Sequence, residues 1–167
     1  TLSGFALAAC GANHEEKHGI VEGEPVHLGD LEYNVLFTRP LNINDVEDSQ
    51  YLVGKQEAPA EKVWIGVFVK IHNTSEDKSH RIPESFTVET TSGRKYTNIP
   101  SDSIYALEPG ATLEPQDNIP EIDSTPQVGP IQASMLLFLM DRESTEQRPV
   151  KLYIEGEDGP ATVDLDL

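Results

Sequence analysis

The strongest constraint on the fold of this chain lies between Val63 and Asn73. Val63, Ile65, Val67, Val69 and Ile71 take the odd positions there, and Trp64, Gly66, Phe68, Lys70 and His72 the even ones. A period of two puts all five β-branched aliphatics on one face of an extended segment, so the stretch is a central strand with one buried face. Its even face is ambiguous. Trp64 and Phe68 there are either further core or a surface offered to a partner.

A central strand needs neighbours, and the rest of the sequence supplies them. Within Val26–Leu41, the residues Leu31, Tyr33, Val35 and Phe37 alternate with Glu32, Asn34, Leu36 and Thr38, and Pro40 is expected to end the regular pairing. Ser85 to Thr90 and Lys95 to Thr97 flank Ser92-Gly93-Arg94 as a hairpin. Pro109-Gly110 suits a type II turn between Leu107 and Leu113. Four prolines between Pro115 and Pro130 argue against a helix or a central strand and predict an extended crossover.

Ser134 to Met140 shows no polar alternation, so it reads as a strand covered on both faces, with a short buried helix as the competing assignment. Val150–Ile154 and Thr162–Leu167 close the chain. In the latter, Asp164 and Asp166 are expected to face water from an edge strand, where charge discourages pairing between chains. About seven or eight strands at this spacing predict an all-β, immunoglobulin-like Greek-key sandwich over residues 26–167.

Charge removes one class of partner. Twenty-nine Asp and Glu against twelve Lys and Arg give a formal charge of −17, which repels a nucleic-acid backbone and opposes adsorption to an anionic membrane surface. The acidic loop from Asn42 to Lys62 lacks the ligand spacing of an EF-hand and reads as solvated, pinned to the sandwich by Tyr51 and Leu52. No cofactor motif is present. The single cysteine, Cys10, excludes an intramolecular disulfide.

Residues 1–10 are instead informative for location. Thr1 to Ala9 is uncharged, apolar and rich in small residues, like the last part of an export signal. Leu7-Ala8-Ala9-Cys10 resembles the lipobox of bacterial lipoproteins, which implies acylation of Cys10. Each buried methylene contributes about 0.8 kcal/mol, so several acyl chains would hold a strongly acidic domain at a membrane. Residues 11–25, acidic and glycine-containing, are expected to form a flexible tether.

His14-Glu15-Glu16-Lys17-His18 matches the His-Glu-x-x-His string of zinc proteases. That chemistry requires a helix presenting both imidazoles to one metal inside a cleft, and a glycine-bracketed tether offers neither, so the metalloprotease reading is disfavoured. A metal or small-ligand function through His14, His18, His27, His72 or His80 is the alternative to a non-catalytic role.

Beyond the lipobox, Trp64 to Ser75, Phe86 to Tyr96, Leu107-Glu108-Pro109-Gly110 and Met135 to Phe138 resemble corresponding stretches of immunoglobulin-like extracytoplasmic lipoproteins of Gram-positive bacteria. Those are mostly domains of unknown function, similar in fold to the secreted mycobacterial immunoprotein. The resemblance implies a sandwich held by lipid outside the cytoplasmic membrane, acting through contacts with another exported or membrane protein rather than by catalysis. It supplies no binding residues.

Overall fold

The computed structural model describes residues 15–167. Among the described residues twelve strands account for most of the regular structure: β1 (Lys17–Val21), β2 (Pro25–Leu28), β3 (Leu31–Leu41), β4 (Lys62–Asn73), β5 (His80–Arg81), β6 (Thr87–Glu89), β7 (Lys95–Thr97), β8 (Thr112–Leu113), β9 (Asn118–Ile119), β10 (Ser134–Asp141), β11 (Val150–Ile154) and β12 (Ala161–Leu165). Two single-turn helices, α1 (Thr125–Val128) and α2 (Arg142–Thr145), interrupt them. One sheet runs β10-β4-β3-β2, with β9 continuing beside β4 where β10 stops. The other runs β1-β12-β11-β6-β7, and β5 pairs with β8 at one end. The molecule is an all-β sandwich, as the strand pattern predicts.

The alternation in β4 explains why it sits at the centre. Ile65, Val67, Val69 and Ile71 face the opposing sheet, where Val88, Leu152, Ile154 and Val163 meet them, all at most 1% exposed. Burying each such aliphatic contributes about 1.5–3 kcal/mol, so this seam is the principal source of stability. β10 is a strand, and both faces are indeed covered: Leu136, Phe138 and Met140 join the inter-sheet core, while Met135 and Leu137 enter a second apolar cluster on the outer side of the sheet.

A bulge in β3 changes which side chains reach that second cluster. Val35 pairs with Val69, but Phe37 pairs with Phe68, so one extra residue is accommodated between them. Because the side-chain period is two, the insertion turns Phe37 to the outer face, away from Tyr33 and Val35. The uninterrupted alternation read from the sequence therefore stops at Val35. Nor does Pro40 end the pairing. β3 continues to Leu41, and β2 reaches only to Asn34, so Pro40 occupies a free edge where its missing N–H is not needed.

Three further expectations change. The second half of the expected tether is structured: Lys17–Val21 forms β1, which pairs in parallel with β12. Consequently β12 is flanked by β1 and β11, and Asp164 does not lie on an edge strand. The proline-rich crossover holds both β9, paired with β4, and the single turn α1, with Pro126 in that first turn where its absent N–H costs nothing.

A polar clamp joins the sheets at one side. The Asp141 carboxylate at the end of β10 accepts from Lys62 Nζ at 3.0 Å and from the Tyr96 hydroxyl at 2.9 Å, and Arg94 lies against it. The donated hydrogen bonds, reinforced by the two cations, hold its pKa below the ordinary value.

Candidate functional site

The even face of β4 divides in two. At its first half, Phe68 is fully buried, stacked on Phe37 at 4.7 Å between centroids and edge-on to Tyr51 at 5.3 Å. Trp64 is 8% exposed, and its indole N–H donates to Gln56 O at 3.0 Å. Residues 42–62 lie over both. Tyr51 and Leu52, each 2% exposed, are part of the same cluster. Trp64 and Phe68, candidates for a partner surface, are therefore core.

The acidic segment that covers them is ordered by its own hydrogen bonds, while Asp45, Glu47, Glu57 and Glu61 stay exposed to solvent and Tyr51 and Leu52 pin it, as the sequence reading expects. Asp45 Oδ1 accepts the amide hydrogens of Glu47 and Asp48, and Asp48 Oδ2 accepts that of Asn42 at 2.8 Å. Asp48, 5% exposed, pairs with Arg39 at 2.6 Å, and the Arg39 guanidinium lies 5.9 Å from the centre of the Tyr51 ring. Burying a carboxylate is costly unless it is paired and hydrogen-bonded, and here it is both.

Beyond Phe68 the cover ends. Lys70 and His72 continue the same outward face, beside Asn34 and Glu32, to which they are registered as cross-strand partners. These four half-buried polar side chains floor a cleft of about 430 Å³, walled by Ile119, Pro120, Ile122 and Gln127 from the crossover. Fully buried Asn73 fixes the neighbouring chain. Its Nδ2 lies 2.8 to 3.1 Å from the carbonyls of Lys78, Leu113 and Glu114, while its Oδ1 accepts from Ser75 N. β9 is held against β4 by the Ile71–Ile119 and His72–Asn118 pairs, and His72 Nδ1 lies 3.2 Å from Asp117 O.

The floor keeps unused hydrogen-bonding capacity. Asn34 Oδ1 is buried without a partner, and among the described residues Lys70 makes no ion pair or hydrogen bond. Glu32 is paired with His27 at 3.1 Å. Ile122 on the wall is 62% exposed. An acceptor, an ammonium and an imidazole beside an apolar wall can orient a ligand of mixed polarity.

The histidines do not converge. Cys10 and His14 lie outside the described residues. Glu15 and Glu16 are not helical and His18 lies in β1, so the helix required by the zinc-protease string is absent across Glu15–His18. His18 Nδ1 is 3.6 Å from Glu16 Oε1, His27 pairs with Glu32, and His80 Nε2 is 2.8 Å from Asp30 Oδ2. Among the described residues no three His, Cys, Asp or Glu side chains are grouped to hold a metal. Of the histidines named from sequence, His72 is the one that lines the cleft. Lys70 and Asn34 were missed, although the continuation of the Trp64 and Phe68 stripe through Lys70 was visible in the alternation.

These features define a β-sandwich with an open cleft on the outer face of one sheet. Solved structures share the fold. An uncharacterized beta-sandwich protein from Clostridium difficile 630 is 15% identical, over 91% of this chain and 97% of that one, with a TM-score of 0.54. The yjhA protein from Bacillus subtilis is 14% identical, over 89% and 100% of the two chains, with a TM-score of 0.61. Both are sandwiches from Gram-positive bacteria, and at this identity the likeness concerns fold alone. No protein-family model and no curated protein matches the sequence. Among the described residues no helix is long and apolar enough to cross a membrane.

Proposed function

We propose that this chain is a lipid-anchored, extracytoplasmic binding domain of the immunoglobulin-like lipoprotein type, attached through Cys10, that engages its partner at the outer-sheet cleft without catalysing a reaction. The observation that carries the reading is the change along one strand face: Trp64 and Phe68 are roofed, whereas Lys70 and His72 are left open beside an unpartnered Asn34 Oδ1. A face used only for stability would gain from continuing the roof, since unpaired buried acceptors cost about 1–3 kcal/mol. The lipobox-like Leu7-Ala8-Ala9-Cys10 supports the anchor, and the β-sandwich neighbours from Gram-positive bacteria are compatible with it.

The test expresses the full chain, with a complete export signal, in a bacterium that processes lipoproteins. Mass spectrometry should find a diacylglyceryl group on Cys10, and Cys10→Ser should move the protein from the membrane to the soluble fraction. Fragment screening by amide NMR on Cys10→Ser protein should then place its hits on Asn34, Lys70, His72 and Ile122, and Lys70→Met should abolish them. An unmodified Cys10 refutes the anchor. Hits that avoid the cleft refute the binding surface.

A further inference from the structure

A second recess, of about 370 Å³, opens at one end of the sandwich between β3, the β5 region and the β11–β12 loop. Its floor is apolar, with Leu31, Tyr33 and Ile82 all at most 7% exposed. Tyr33 is the unusual member. Its ring belongs to the inter-sheet core at 1% exposure, yet among the described residues its hydroxyl has no hydrogen-bond partner and is left to the recess that the residue lines. The hydroxyl is not one of the fully buried atoms left without a partner, so solvent in the recess reaches it, and a donor group on a ligand can replace that solvent contact.

The rim states the sign of that group. Glu84, Glu155 and Glu157 line the recess, and Asp30 stands behind His80. The two basic side chains present are already engaged: Arg81 holds Glu84 at 2.9 Å and donates to Gly110 O at 2.8 Å, and His80 Nε2 is 2.8 Å from Asp30, with Nδ1 3.7 Å from Glu157. Glu155 has no ion pair among the described residues. An anion would meet this excess of carboxylates and the −17 charge of the chain, whereas a cation is drawn in by both. A small hydrated cation would leave the apolar floor unused.

We propose that this recess binds a primary ammonium carried on a linear alkyl stem. The stem packs on Leu31 and Ile82, the ammonium sits between the Glu155 and Glu157 carboxylates, and the Tyr33 hydroxyl oxygen accepts one of its hydrogens. Burial raises the Tyr33 phenol pKa, so the hydroxyl remains neutral at physiological pH and keeps its lone pairs available. A free alkylamine and a lysine side chain share this chemistry.

The test is amide NMR titration of the Cys10→Ser protein at pH 7 with 1-pentylamine, with Nα-acetyl-lysine N-methylamide, and with 1-pentanol as the uncharged control. One or both amines should shift the Tyr33, Ile82 and Gly156 signals, and which of them does so identifies a free amine or a lysine side chain as the source. Pentanol should bind at least tenfold more weakly. Glu155→Gln with Glu157→Gln should weaken the amine at least tenfold, and Tyr33→Phe, which keeps the ring in the core, at least threefold. The proposal is overturned if neither amine binds, if pentanol binds equally well, or if the double Gln variant leaves amine binding unchanged. That last result would show diffuse attraction to an acidic surface.

Discussion

Phe68→Ala tests whether the outer apolar layer is a working part of the fold. Phe68 is fully buried, and its ring meets Phe37 and Tyr51 at 4.7 and 5.3 Å. Truncating a core phenylalanine costs about 3–5 kcal/mol through lost transfer energy and the cavity left behind. Taking about 4 kcal/mol, with about 2–4 °C per kcal/mol for a chain of this size, the melting temperature should fall by about 8–16 °C. In urea, with a slope near 2 kcal/mol/M, the midpoint should move down by about 2 M. Gly66 provides an internal control. A methyl group there would lie 3.1 Å from Phe68 Cε2 and 3.1 Å from Leu41 Cδ1. Gly66→Ala should therefore cost about 1 kcal/mol or more in the parent and cost less once Phe68 is Ala, with the Leu41 contact still in place. The assay is urea denaturation of the four-protein cycle, all carrying Cys10→Ser. A Phe68→Ala loss below about 1 kcal/mol, or strict additivity with Gly66→Ala, would refute the packing described for this face.

Other positions yield separate expectations. Gly156→Ala should destabilise strongly, because its Cβ would sit 2.7 Å from Leu28 Cβ and 2.9 Å from Gly159 O; thermal melting checks it, and an unchanged melting temperature would mean that the β11–β12 loop packs differently. Asp141→Asn should reduce stability at neutral pH. The folded-state pKa of Asp141 is depressed, so its contribution is present above its unfolded value near 4 and is lost as pH falls through the folded value. The gap between parent and variant in denaturation curves should accordingly close on acidification, and a pH-independent gap would contradict the clamp. Tyr153 donates to Glu16 Oε1 at 2.7 Å, and this hydrogen bond, ahead of burial, pushes its pKa up to about 12. Stability tied to that proton is present below pH 10 and declines as pH rises towards 12. Ultraviolet difference titration of the parent against Tyr153→Phe should show one tyrosine ionising late, and its absence would remove the Glu16 contact.

Legibility from sequence followed the range over which the determining contact acts. β4 and β10 could be read because the residues that bury them are their own alternating or continuous apolar side chains, a strictly local signal. β1 could not: four of its five residues are exposed, and its place is set by β12 at the other end of the chain. The roof over Trp64 was half legible for a related reason: Tyr51 and Leu52 could be read as pins of the acidic segment, but nothing local says which surface they meet. The cleft was half visible. Lys70 and His72 lie on a stripe that the alternation displays, but the wall comes from a crossover whose prolines describe only what the segment cannot be. The period of two set Tyr33 on one face with Leu31 and Val35, while the surroundings of the hydroxyl at its end depend on three chain segments meeting.

The parallel pairing of β1 with β12 has a mechanical meaning if the chain is held at Cys10 as proposed. Lys17 is matched to Ala161, and its amide donates to Pro160 O at 3.0 Å, so the fold grips the chain seven residues after the cysteine. Fully drawn out, that lead spans no more than about 25 Å. If β12 were absent, β1 would have no strand to lie against, and the grip would retreat to β2 at Pro25, giving a reach of about 50 Å. β12, distant from Cys10 in sequence, would thus set how far the sandwich stands from the anchor proposed at Cys10.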